Sequence, residues 1–160
     1  MGLFLEDKSK ALENLENAKN KEWFDERFEN IITFLNSIED VYTTSCCSGR
    51  ISVYHIDMKD SKKEHEFLGK FHEIPDFDDI LSSVSSASKD VVYYTVDPAI
   101  LHVCCKDLSA AEKVLDCAYF SGFKRSGIFQ LKGKIMIEVR GVDGFRVPLS
   151  GFGKRFVDED

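Results

Sequence analysis

Two periodicities organise the apolar positions of this chain. Over residues 24–38, Phe24, Phe28, Ile31, Ile32 and Leu35 recur at helical spacing, with Asp25, Glu26 and Glu29 at the end where a helix favours negative charge. Residues 4–20 carry Leu5, Leu12 and Leu15 at a looser spacing amid charge, which predicts a peripheral helix. Asp76 is placed to cap a helix over 77–87 that turns Phe77, Ile80, Leu81 and Val84 inward. Ser109 and Glu112 read as an S-x-x-E box for a helix over 110–120, with Gly122 past its end. Runs rich in β-branched and aromatic residues predict extended segments over 41–44, 50–58, 65–74, 91–96 and 100–105. Three more, over 123–131, 134–140 and 145–149, are joined by Lys132-Gly133 and Asp143-Gly144 and read as a β-meander.

This order is α+β and does not alternate as strict βαβ units. We expect one compact domain over 1–160, with a mostly antiparallel or mixed sheet and peripheral helices. A Rossmann fold is not expected, because no G-x-G-x-x-G follows a strand. G-x-x-x-x-G-K-[ST] and G-x-S-x-G are absent too, which removes the P-loop and the common serine-hydrolase signal.

Charge adds a second layer. The chain has 160 residues, 21 of them Lys or Arg and 28 Asp or Glu, for a net charge of −7. The sign is unevenly spread: residues 121–155 hold eight basic residues and two acids, while the preceding part is strongly acidic. Such asymmetry suggests a localised anion-binding face; a solvated basic strand face is the alternative. The five cysteines include two adjacent pairs, Cys46-Cys47 and Cys104-Cys105, which suit reduced thiols better than a disulfide framework. With no C-x-x-C, H-x-x-x-H or H-E-x-x-H, no metal site is expected. No apolar run reaches membrane-spanning length, and acids follow the first apolar patch, so a cytoplasmic protein is expected.

Candidate chemistry concentrates in a few places. Thr43-Thr44-Ser45-Cys46-Cys47-Ser48-Gly49-Arg50 brings hydroxyls, thiols, a glycine and a guanidinium into one connection. Such a run can form a nest for an anion or a polar ligand, or an ordinary polar connection. His102, in the apolar run 100–103, is either a hydrogen-bonded structural histidine or a general base, and His72 is read the same way. Ser126 and Gly127 beside Lys124 and Arg125 form a basic, hydroxyl-bearing turn. Lys134, Glu138 and Arg140 line one strand face, as a solvated salt-bridge row or as the wall of a cleft.

Four ordered segments, TTSCCSGRI (43–51), DPAILHVCC (97–105), SGFKRSGI (121–128) and VPLS (147–150), resemble the tRNA wybutosine-synthesising protein 3 family. The resemblance covers residues 25–150, leaving 1–24 as the peripheral N-terminal helix and 151–160 as a tail. It implies an S-adenosylmethionine-dependent methyltransferase acting on N4 of the 7-(3-amino-3-carboxypropyl)-4-demethylwyosine-type base beside the anticodon of tRNA(Phe). On that reading His102 and His72 are the catalytic candidates. Ser45, Ser48, Gly49 and Arg50 are the cofactor-binding candidates, and Lys124, Arg125, Ser126, Gly127, Lys134 and Arg140 the substrate-binding ones. The alternative is a non-catalytic tRNA-binding module of the same fold.

Overall fold

The chain runs α1 (Gly2–Asn20), a short 3-10 helix (Glu26–Phe28), α2 (Glu29–Ser37), β1 (Val41–Cys47), β2 (Arg50–Ile56), β3 (Glu66–Phe71), α3 (Phe77–Ser85), β4 (Val91–Asp97), β5 (Ile100–Cys105), α4 (Leu108–Phe120), β6 (Gly127–Gln130), β7 (Ile135–Arg140), β8 (Phe145–Gly151) and β9 (Lys154–Arg155). These elements come from a computed structural model that describes residues 2–21, 23–56, 66–85 and 91–157. The class is α+β with antiparallel sheets, as the pattern predicts. Packing divides the chain into two compact units, residues 1–48 with 99–142 and residues 49–98 with 143–160.

The first unit is built on a four-stranded antiparallel sheet in the order β1-β5-β7-β6. Because side chains alternate along a strand, each strand supplies both faces. Val41, Leu101, Val103, Cys105 and Ile137 join Ile32 of α2 and Ala110 and Ala111 of α4 in one core cluster. Val103 and Ile137 are completely buried, a contribution of roughly 1.5–3 kcal/mol each. The opposite face carries Tyr42, Cys104 and Met136, on which Phe4 and Ala11 of α1 pack. The Phe4 and Tyr42 rings lie 5.2 Å apart.

The second unit holds a five-stranded antiparallel sheet in the order β3-β2-β4-β8-β9. Val84 and Ile80 of α3 pack on Val53, Val92 and Leu149. Tyr54 stacks on Tyr93 and meets Phe67 edge-on, and the Arg146 guanidinium lies over both tyrosines.

Several expectations are corrected. The last three strands are not a meander: β6 and β7 pair with each other, but β8 pairs with β4 in the other sheet. Strand patterning fixes which face is buried and leaves the pairing partner open. The chain crosses between units after Val142, and a Cβ on Gly144 would lie 3.0 Å from the Val96 carbonyl oxygen and 2.9 Å from Pro98. That close approach needs glycine at the entry to β8. The N-cap of α4 is Asp107, whose carboxylate accepts the Ala110 amide at 2.9 Å, so Ser109 lies inside the first turn. Residues 121–126 form a turn, which shortens the predicted strand 123–131 to Gly127–Gln130. The predicted helix 24–38 is split into the 3-10 helix and α2, with Asp25 capping the former. Residues 57–58 of the predicted second strand, His65, and residues 86–87 of the predicted third helix lie outside the described residues.

Candidate active site

A single irregularity in β1 organises the first unit's polar cluster. Thr43 pairs with Val103, but Ser45 is already opposite His102, so the register shifts at Thr44. The Thr43 amide donates to Asn36 Oδ1 of α2 at 2.8 Å, and Asn36 Nδ2 donates to Thr43 Oγ1 at 3.1 Å. Thr43 is thereby anchored toward α2. The extra residue then turns Ser45 to the other face, which His102 shares with Cys104 by strand alternation.

On that face three adjacent strands present one row. Ser45, His102 and Glu138 are successive cross-strand partners on β1, β5 and β7. Ser45 Oγ lies 2.9 Å from His102 Nδ1, and His102 Nε2 lies 3.1 Å from Glu138 Oε2. The Phe129 ring of β6 packs on the imidazole, with centroids 4.9 Å apart. Arg140 reaches the second Glu138 oxygen at 3.4 Å, and its amide donates to Ser126 Oγ at 3.0 Å. Ser126 is buried, and its carbonyl accepts from the Tyr119 hydroxyl.

The electrostatics give this row a direction. The His102 hydrogen bond, with help from the Arg140 guanidinium, outweighs desolvation and holds the Glu138 carboxyl below its ordinary value. A carboxylate only accepts, so neutral His102 carries its proton on Nε2. Nδ1 then has a free lone pair, to which the Ser45 hydroxyl donates. In this arrangement a proton on the Ser45 hydroxyl can pass to an unprotonated His102 Nδ1.

The other sequence candidates have their own surroundings. Ser48 Oγ accepts from Arg27 at 3.0 Å and its amide donates to Asp25 at 2.9 Å, which ties the 3-10 helix to the end of β1. Burial pulls the Asp25 carboxyl upward, but hydrogen bonds from Ser48 and Arg27 win and hold it below its usual range. Gly49 has φ of 101°, and Arg50 opens β2 of the second unit opposite Asp97. His72, exposed just past β3, also belongs to the second unit. Lys124 donates to the Tyr119 carbonyl, and Arg125 is exposed on the same turn. Gly127 pairs with Glu138 across β6 and β7. Lys134 forms an ion pair with Asp7 of α1 at 3.0 Å. The five cysteines are free thiols. Burial pushes Cys46 up to about 11 and Cys105 up to about 12, so neither is a thiolate at neutral pH.

This geometry joins Ser45, His102, Ser126, Gly127 and Arg140 around Glu138, which sequence reasoning saw only as part of a charged strand face. The model of the family described as Methyltransferase TYW3 matches residues 6–160. The chain belongs to the TYW3 methyltransferase family. That membership agrees with the resemblance carried by the four motifs, and the match takes in most of α1.

Similar family proteins include the tRNA(Phe) 7-((3-amino-3-carboxypropyl)-4-demethylwyosine(37)-N(4))-methyltransferase of Methanocaldococcus jannaschii. It is 33% identical over 159 residues, covering 98% of this chain and 82% of the relative. The protein of the same description from Archaeoglobus fulgidus is 30% identical over 152 residues, with 95% and 76% covered. The solved PH1069 protein from Pyrococcus horikoshii superposes with a TM-score of 0.84 at 34% identity, covering 98% of this chain and 81% of that one. Among the described residues no helix is long and apolar enough to cross a membrane.

Proposed function

We propose that this TYW3-family chain methylates N4 of the 7-(3-amino-3-carboxypropyl)-4-demethylwyosine-type base beside the anticodon of tRNA(Phe), in the cytoplasm, with S-adenosylmethionine as donor. The observation that carries this reading is the Ser45–His102–Glu138 row. Methylating a ring nitrogen that bears hydrogen requires a proton acceptor within hydrogen-bond reach. As N4 is alkylated, its proton moves to Ser45 Oγ while the Ser45 proton moves to His102 Nδ1. Glu138 steadies the resulting imidazolium, and Arg140 holds Glu138 in place.

When bound, S-adenosylmethionine supplies an electrophilic methyl on sulfur. Ser48, Gly49 and Arg50 are the candidates for its amino-acid end: Gly49 takes a positive φ of 101°, and a guanidinium such as that of Arg50 is suited to a carboxylate. His72 is the second candidate for the catalytic base.

Lys124 and Arg125, on the exposed turn before β6, are suited to phosphates of the anticodon stem-loop. Ser126, Gly127 and Arg140 act through Glu138. The target base lies in a single-stranded loop, so presenting it costs little unstacking. The non-catalytic alternative is not favoured, because a binding module has no need of a directed proton acceptor.

The test is methyl transfer from labelled S-adenosylmethionine to tRNA(Phe) isolated from cells arrested just before N4 methylation. Label is expected in that tRNA and absent from unmodified tRNA(Phe). Equal labelling of both, or of neither, would contradict the proposal.

A further inference from the structure

A cleft of about 640 Å³ opens in the first unit beside Ser45, between α1 and the sheet. That volume lies in the range of small-molecule sites. Its α1 wall presents Ala11, Leu15 and Ala18 at helical spacing, and the two alanines leave room that larger side chains would fill. Met136 and Phe24 add apolar surface, while Asn14 and Gln130 offer polar edges. The Lys134–Asp7 ion pair ties α1 to the residue preceding β7. Trp23, the chain's one tryptophan, also lines this cleft and is 78% exposed. The Lys21 ammonium lies 4.9 Å from the indole centroid, and the exposed remainder of the ring is poorly used as packing and well suited to stacking on a planar ring.

We infer that this cleft receives the tricyclic base itself, with Trp23 at its rim and Ser45 beside the reacting nitrogen. The choice of occupant follows from the direction of the Ser45–His102 hydrogen bond. That pair accepts a proton, and of the two reactants only the base loses one in the reaction. The methyl donor carries no such proton at its sulfur, so the group beside Ser45 is the base. On this account α1 is part of the substrate site. The inference rests on the proposed methyl transfer to N4.

Trp23 is its own reporter. With the full-length protein, tRNA(Phe) bearing the tricyclic precursor should change tryptophan emission in the absence of donor. Unmodified tRNA(Phe) and S-adenosylmethionine alone should leave it near the free-protein signal. Trp23→Ala should raise KM for the precursor tRNA about tenfold with little change in kcat, and Trp23→Phe should recover most of the loss. An emission change with S-adenosylmethionine alone, and none specific to the precursor, would overturn the assignment in favour of the donor. Unchanged KM in Trp23→Ala would overturn it as well. If the wild-type protein methylates the precursor while these readouts stay still, the cleft assignment fails alone. If it methylates no tRNA, the functional reading fails and takes this inference with it.

Discussion

His102 Nε2 stands 3.1 Å from Glu138 Oε2, and the two residues are direct cross-strand partners on β5 and β7. The sheet register itself therefore sets which nitrogen of His102 faces the carboxylate. The same register presents the other nitrogen to Ser45. The proposed proton acceptor depends on this backbone pairing, and its parts can be disturbed one at a time.

Glu138→Gln keeps the size of the side chain and removes its charge. The new amide can donate to Nε2 and invert the imidazole tautomer, leaving Nδ1 protonated against Ser45. We expect kcat to fall roughly 10²-fold with KM for tRNA nearly unchanged. Nitrogen NMR of labelled histidine should show His102 moving from the Nε2–H form toward the Nδ1–H form. A wild-type kcat in this variant would remove Glu138 from the account.

The depressed Glu138 carboxyl gives a pH prediction with a definite sign. A carboxyl whose folded value lies below its ordinary 4.5 contributes stability that is fully present above the ordinary range. That contribution is lost as pH falls through the lower, folded value. Carbon NMR of the Glu138 carboxyl should show a midpoint below 4.5 in the wild type, returning toward 4.5 in His102→Gln. A wild-type midpoint at or above 4.5 would contradict the hydrogen bond to His102.

Asn36 holds the bulge that aims Ser45. Asn36→Ala leaves the buried Thr43 amide without its acceptor, which should cost about 1–3 kcal/mol in chemical denaturation. Because Ser45 loses its fixed position, kcat should also drop by roughly tenfold or more. Stability loss with full activity would show that the bulge is not what places Ser45.

Lys124 and Arg125 act at phosphates in this account. Replacing both by Gln should weaken tRNA binding and lower the salt dependence of log Kd by about one unit of slope per charge removed. Precursor and unmodified tRNA should be affected alike, because phosphate contacts carry no base identity. A change confined to the precursor would place these residues at the base instead.

Much of this architecture is legible in the sequence because it depends on local periodicity. Leu101, His102 and Val103 alternate in an apolar run, which predicts a strand with His102 on the face opposite its neighbours, and the structure has that strand. Phe28, Ile32 and Leu35 of the predicted stripe likewise pack on the first unit's core from the 3-10 helix and α2, while Ile31 is exposed. Tertiary pairing is what local pattern does not encode. Glu138 is 36 positions from His102, and nothing in either strand's composition sets the register that joins them. The bulge at Thr44 is hidden for the same reason, since it depends on Asn36 reaching Thr43 from another element. The exchange of β8 into the second sheet defeats a meander reading that the turn residues alone support. The charge around Leu12 and Leu15 marks α1 as a surface helix, and only the packed structure reveals the cleft along it.

The most direct test of the central claim, that the Ser45–His102–Glu138 row accepts the proton released at N4, is single-turnover methyl transfer by His102→Gln. Precursor tRNA(Phe) and S-adenosylmethionine would both be saturating, and tRNA affinity would be measured separately. The account predicts a rate at least about 10²-fold below wild type with tRNA affinity unchanged. A wild-type rate in His102→Gln would contradict it.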